Sequence, residues 1–337
     1  MPFITPGPKG LNIPRKLLSL WKRLALTTNQ ADPVCCAPAW NLTYHRVACP
    51  ESRLFYVASG SSLAIFREDL VGAPGIPCLY PVESGWMFAS SLMGEDAPEL
   101  LLDSLPSLIR EYGRLPVFVL GGTQRHRPET RDLYAKLNGF YAFFVNSRSI
   151  QCSASLEGGP EGWASRRSAN HRAKLRKAAK KASRRGMTFE RARPSDDREA
   201  AAVFARIIAV ERKSWKGINS RGILQSPSIE FYDELLRRLA REKAAYVIFA
   251  RMDDRDIGFI FGGAAGKIYR GQQFSYDNEL GDLSVGNLMQ LEKVRWLSEL
   301  GFERYDMGPI TGSRMEYKNH WTENRHPIEA WTLRRRF

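Results

Sequence analysis

One segment narrows the possible folds more than any other: residues 272–321, QQFSYDNELGDLSVGNLMQLEKVRWLSELGFERYDMGPITGSRMEYKNHW. An aromatic-rich strand pattern ends in Tyr276-Asp277, and a polar loop then carries Leu283-Ser284-Val285-Gly286-Asn287. Leu288, Leu291, Val294, Trp296 and Leu297 follow at helical spacing, and a second short strand ends in Tyr305-Asp306-Met307-Gly308. Strand, glycine loop, helix and strand make a βαβ unit. The loop leaves backbone N–H groups free at a helix N-terminus, where an anionic or polarised ligand is favoured. Polar residues at the ends of the two strands stand within reach of that ligand.

Further motifs precede this unit in a fixed order. A basic helix reads Ser168-Ala169-Asn170-His171-Arg172-Ala173-Lys174-Leu175-Arg176-Lys177, and Ser214-Trp215-Lys216-Gly217 comes later. Glu316-Tyr317-Lys318 stands just before Trp321. With Tyr276-Asp277, Leu283-Ser284-Val285-Gly286 and Asp306, this order resembles the C-terminal catalytic domain of the CelD/BioF2-like acyltransferases of the GNAT (Gcn5-related N-acyltransferase) superfamily. The resemblance covers roughly residues 165–325. Gly308-Pro309 and Tyr317-Lys318 are also similar to the end of the FemABX aminoacyltransferases.

The resemblance implies transfer of an acyl group from acyl-CoA or an acyl-phosphopantetheine on an acyl carrier protein to an amine, with no covalently bound cofactor. A typical GNAT pyrophosphate cradle has several glycines where this helix start has Gly286 alone, so an acyl carrier protein or an aminoacyl-tRNA is expected as donor in place of coenzyme A. A third expectation is a non-catalytic module in polysaccharide or envelope assembly.

The chain of 337 residues carries a formal charge of +14, which implies an acidic partner such as tRNA or an acidic carrier protein. Ten Lys or Arg and no acid lie between Arg166 and Arg185. Such a run repels itself unless an anion faces it. Five scattered cysteines without a CxxC pair read as reduced thiols of a cytoplasmic protein, and five histidines show no metal spacing. Neither a membrane span nor a secretory leader is read from the sequence.

The expected fold is α/β with a mixed sheet, in tandem GNAT-like domains. Residues 1–40 read as an arm, 41–157 as a degenerate GNAT-like domain, 158–186 as a basic linker helix and 187–337 as the catalytic domain. In the arm, Leu17, Leu20, Trp21 and Leu24 share a helical face flanked by Arg15, Lys16, Lys22 and Arg23. Such a helix over 14–26 either anchors the protein peripherally at the inner face of a membrane or packs on its own domain. In the first half, strands are expected at 54–66 (a hairpin), 85–92, 115–120, 141–145 and 150–156, and helices at 97–112 and 129–137.

Amide formation needs a proton acceptor, an oxyanion stabiliser and a held donor. Asp277 is the first candidate base, with turn chemistry as its other role. Glu211, one turn before Trp215, faces either the cleft or a surface ion pair with Arg212 or Lys213. Lys318 is the candidate cation at the reacting carbonyl, and Tyr317 a stacking or proton-donating group. Ser284, Val285, Gly286 and Asn287 form the expected donor nest. Arg172 and Arg176 are expected to grip an anion, beside Asn170, Trp215, Tyr276 and Asp306.

Overall fold

The apolar periods resolve into two units in a computed structural model that describes residues 3–8, 10–72 and 75–336. The first unit comprises residues 1–150 and 326–337, and the second residues 151–325. The first begins with β1 (Phe3–Ile4), α1 (Arg15–Thr27), α2 (Pro33–Cys36) and α3 (Pro38–Ala48). It continues with β2 (Leu54–Ala58), β3 (Leu63–Val71), β4 (Ile76–Tyr80), β5 (Leu92–Met93), α4 (Ala97–Tyr112), β6 (Val117–Thr123) and α5 (Pro128–Leu137). The strand β7 (Tyr141–Ser155) gives its residues 141–150 to this unit and 151–155 to the second.

The second unit adds α6 (Gly159–Ser165), α7 (Ala169–Arg184), β8 (Thr188–Ala192), α8 (Asp197–Lys213), α9 (Trp215–Ile218) and α10 (Ser228–Arg241). Then come β9 (Ala245–Met252), β10 (Arg255–Ala265), β11 (Ile268–Tyr276), α11 (Val285–Glu299) and β12 (Arg304–Pro309). Short 3-10 helices, Asn278–Leu283 and Ser313–His320, precede α11 and follow β12. The last strand is β13 (Asn324–Arg335).

In the second unit the strand order is β7-β12-β11-β10-β9-β8. Only the β11–β12 pair among these is parallel, with Tyr269 opposite Tyr305. That parallel pair, joined by α11, is the expected βαβ unit. Leu288, Met289, Val294, Trp296 and Leu297 of α11 enter one core with Trp163, Leu175 and Trp321. Fully burying each such side chain stabilises the fold by about 1.5–3 kcal/mol.

In the first unit the order is β1-β2-β3-β4-β6-β13, with β5 on β3. Here β4 and β6 run parallel and the other named pairs antiparallel. Both units are therefore mixed α/β, as expected.

Several boundaries differ from the sequence reading. The catalytic segment does not run to 337, because β13 pairs with β6, Trp331 facing Leu120 and Leu333 facing Phe118. Residues 158–186 are part of the second unit rather than a linker, since Leu175 and Ala182 of α7 are in its core. Residues 1–40 are not an arm. Leu17, Trp21 and Leu24 are buried in the core of the first unit with Leu63, Ile65 and Met93, and Trp21 Nε1 donates to Cys36 O at 2.8 Å. The apolar face offered to a membrane by helix 14–26 is thus taken by the protein's own core. Of the strand expected at 85–92 only Leu92 lies in one, β5: the buried Glu83 carboxylate accepts from the N–H groups of Trp86, Met87 and Phe88, which ties those donors into a loop. The two strands expected at 141–156 are one, β7.

Candidate functional site

The stretch 158–186 expected as one basic helix is two, α6 and α7, and α7 starts at Ala169. Ser168 is the N-cap, its Oγ accepting from His171 N at 3.2 Å. Its buried stripe is narrow, Leu175 and Ala182. A cationic face adjoining that stripe forms one wall of a groove of about 940 Å³. Lys174, Lys177, Lys180, Lys181, Arg184 and Arg185 all line it. Lys181 meets Asp282 at 2.7 Å, which holds that carboxyl below the usual carboxylate range. Among the described residues no carboxylate pairs with the other five cations. Sixteen helical residues extend about 24 Å, so the charge is a stripe rather than a point.

The facing wall comes from the βαβ unit and the 3-10 helix after β12. Ser284 and Asn287 stand there at the start of α11, with Tyr317, His320 and Trp321. Ser284 is left-handed at φ 54° and caps α11 without a side-chain hydrogen bond. The first N–H groups of α11 thus face no intrahelical partner. Asn170 also lines the groove.

Other expected members of the site lie elsewhere. Gly286 turns inward: a Cβ on it would sit 3.1 Å from Tyr276 and 3.2 Å from Phe274. Its small size lets α11 lie against those rings of β11, and Val285 is fully buried. Neither belongs to an open donor nest, and Tyr276 is a packing residue. Gly286→Val should therefore lower stability by about 1–3 kcal/mol through overpacking, read from denaturant unfolding, rather than selectively removing donor affinity. An unchanged midpoint would contradict this.

Asp277 caps the 3-10 helix, Oδ1 accepting from Glu279 N at 3.1 Å, and its own N–H donates to Ile257 O. It is buried and does not line the groove, and the bond its carboxylate makes is that of a turn. Arg172 bonds the carbonyls of Ala164 and Arg167 at 3.2 and 2.9 Å, closing the end of α6. Arg176 is exposed and off the groove. Asp306 is buried on β12, accepting from Arg304 Nε at 2.8 Å. Glu211 is fully buried, and its partners are not Arg212 or Lys213. It accepts from Ser214 Oγ and Ile223 N and faces Lys216 Nζ at 3.6 Å. Lys216 also donates to Phe274 O at 2.9 Å, and burial lowers its pKa against the pull of Glu211. Trp215 is half-exposed beside this knot.

Lys318 is buried and does not line the groove. Its Nζ donates to Pro309 O at 2.6 Å, and Cys152 Sγ donates to Gly308 O at 3.0 Å. Burial, then Arg270, lowers the Lys318 pKa to about 8. The unfolded chain keeps that proton to about 10.5, so it binds more protons between these values and stability rises with pH across the window. Below pH 8 the fold carries the whole cost of the buried ammonium, about 3 kcal/mol. Relative to Lys318→Met, the wild type should gain about 2–3 kcal/mol between pH 7 and pH 10 in urea unfolding. Parallel stability curves would refute this.

Two histidines were missed. His171 and His320 stack at 5.7 Å between ring centroids, both on the groove wall. Burial, then His320, Arg167 and Lys174, lowers the His171 pKa, so its ring is neutral near pH 7. His171 Nε2 has no hydrogen-bond partner among the described residues. Tyr317 packs edge-on to Phe274 at 5.9 Å, and burial raises its pKa well above that of an ordinary phenol. The groove therefore combines a cationic stripe, a neutral imidazole and a protonated phenol.

A family model described as an acetyltransferase (GNAT) domain matches residues 169–319. Among solved structures, FemX is similar over 95% of this chain and 96% of its own, at 11% identity and a TM-score of 0.67. L-PGS from Bacillus licheniformis is similar at 16% identity, 85% of each chain and a TM-score of 0.53. The C-terminal domain of a putative lysylphosphatidylglycerol synthetase from Agrobacterium fabrum is similar at 13% identity, 94% of this chain, 91% of its own and 0.54. At these identities the likeness is one of fold. No curated protein matches the sequence.

Proposed function

We propose that this protein, an acyltransferase of the GNAT superfamily by its domain at residues 169–319, takes its acyl group from a polyanionic carrier laid along α7 and passes it to an amine. The cationic stripe facing Ser284, Asn287 and Tyr317 across one groove carries this reading. A stripe of about 24 Å suits a chain of phosphates more than one pyrophosphate. Gly286 packs inward, so no glycine cradle favours coenzyme A. Both features support an aminoacylated tRNA, and the FemX-like fold agrees with it. The match to an acetyltransferase model favours a second reading, a thioester donor.

The chemistry is common to both. The acceptor nitrogen attacks the acyl carbon, the bond to the carrier oxygen or sulfur breaks, an amide forms, and the amine proton ends on the leaving group. Tyr317, kept protonated by burial, donates to the developing oxyanion. His171, neutral near pH 7, receives the amine proton. Asp277 and Glu211 are committed to internal bonds and take no part.

The test presents the full chain with aminoacylated total tRNA, acetyl-CoA and acetylated acyl carrier protein, each with a pool of primary amines. Amide formed only from the tRNA donor, and abolished by RNase, supports the first reading. Amide formed only from a thioester, unaffected by RNase, supports the second. Binding of none of the three, with no amide formed, would refute both.

A further inference from the structure

The loop after α8 presents an apolar tip in a cationic frame. Residues 212–221 read RKSWKGINSR, with four Lys or Arg and no acid. Lys216 turns inward to Glu211, while Arg212, Lys213 and Arg221 are exposed. On α9, Trp215 and Ile218 lie one turn apart and are 39% and 62% exposed. The tip is held rigidly: Gly217 N donates to Ser214 Oγ at 3.1 Å, and Lys216 ties the loop to Phe274 O. A rigid tip loses little freedom on docking.

We propose that residues 212–221 make an interfacial contact with an anionic phospholipid surface. The apolar tip enters the boundary between headgroups and acyl chains, and Arg212, Lys213 and Arg221 meet the lipid phosphates. Charge complementarity selects this occupant. An RNA would satisfy the cations but leave Ile218 in water. Exposed Leu70, on the first unit's β3, follows directly on Glu68 and Asp69, so it lacks such a frame. The basic helix α1 buries its apolar face. The contact stands independently of the acyl-transfer reading.

Sedimentation of the full chain with vesicles tests it, comparing phosphatidylcholine alone with an equimolar phosphatidylglycerol mixture. Binding should favour the anionic vesicles and weaken with salt. Trp215→Ser with Ile218→Ser should lower partitioning about tenfold. Arg212→Gln, Lys213→Gln and Arg221→Gln together should lower it about a hundredfold. Unaltered thermal midpoints in both variants would tie these losses to the surface. Equal partitioning onto both vesicles, wild-type partitioning of either folded variant, or no vesicle binding at all would overturn the proposal. So would loop variants that lose tRNA affinity while keeping vesicle binding. Should the apolar variant not fold, the cationic variant alone decides.

Discussion

Replacing Lys174, Lys177, Lys180 and Arg184 by glutamine should weaken binding of a tRNA donor by about two to three orders of magnitude at low salt. These four line the groove and face no carboxylate among the described residues. Each cation that neutralises a phosphate releases a counterion, so the logarithm of affinity falls with the logarithm of salt by about 0.7–0.9 per contact. The variant should flatten that slope by about 3, read by fluorescence anisotropy from low to moderate salt. Arg172→Gln is the contrasting case. It frees the carbonyls of Ala164 and Arg167 and should lower the thermal midpoint while leaving the slope alone. An unchanged slope in the quadruple variant would make α7 a solvated face and remove the basis for a polyanionic carrier.

The same helix shows how far the sequence carried. The charge run was legible because it is local. Choosing Arg172 and Arg176 as the anion grip picked a pair four residues apart on another face. Groove-lining positions 170, 174, 177, 181 and 184 follow helical spacing, so helix geometry alone would have found Lys174, Lys177, Lys181 and Arg184. By contrast, His171 and His320 come together through the packing of α7 on the 3-10 helix after β12, and no local pattern signals that. Burial misled in another way. Asp277, Asp306 and Glu211 carry the residue types of catalysis at strand or helix ends, yet each is consumed by internal bonds. The βαβ unit, α4 and α5 were legible from apolar period. Helix α3 was not, because Asn41, Thr43 and His45 are buried polar residues that break the period. The place of β13 rests on its ladder with β6, a partner some 200 residues earlier.

Tyr317→Phe should leave donor affinity within about twofold and lower kcat by about 100- to 1,000-fold, the loss seen when one oxyanion donor is removed. Phenylalanine keeps the edge contact with Phe274 and removes only the hydroxyl. The ring already lines the groove, so the change opens no new space there. Burial keeps the phenol protonated well past the pH of an ordinary tyrosine. Wild-type turnover should therefore show no alkaline loss from Tyr317 itself up to pH 10. Its acid limb should fall below pH 6.5, because His171 must be neutral to take the amine proton and its pKa is lowered. In His171→Gln that acid limb should vanish along with most of the rate. The two substitutions separate the roles: Tyr317→Phe keeps the acid limb at a lower plateau, whereas His171→Gln flattens it. If Tyr317→Phe instead raised KM with kcat intact, the hydroxyl would be a ground-state contact and the oxyanion role would fall.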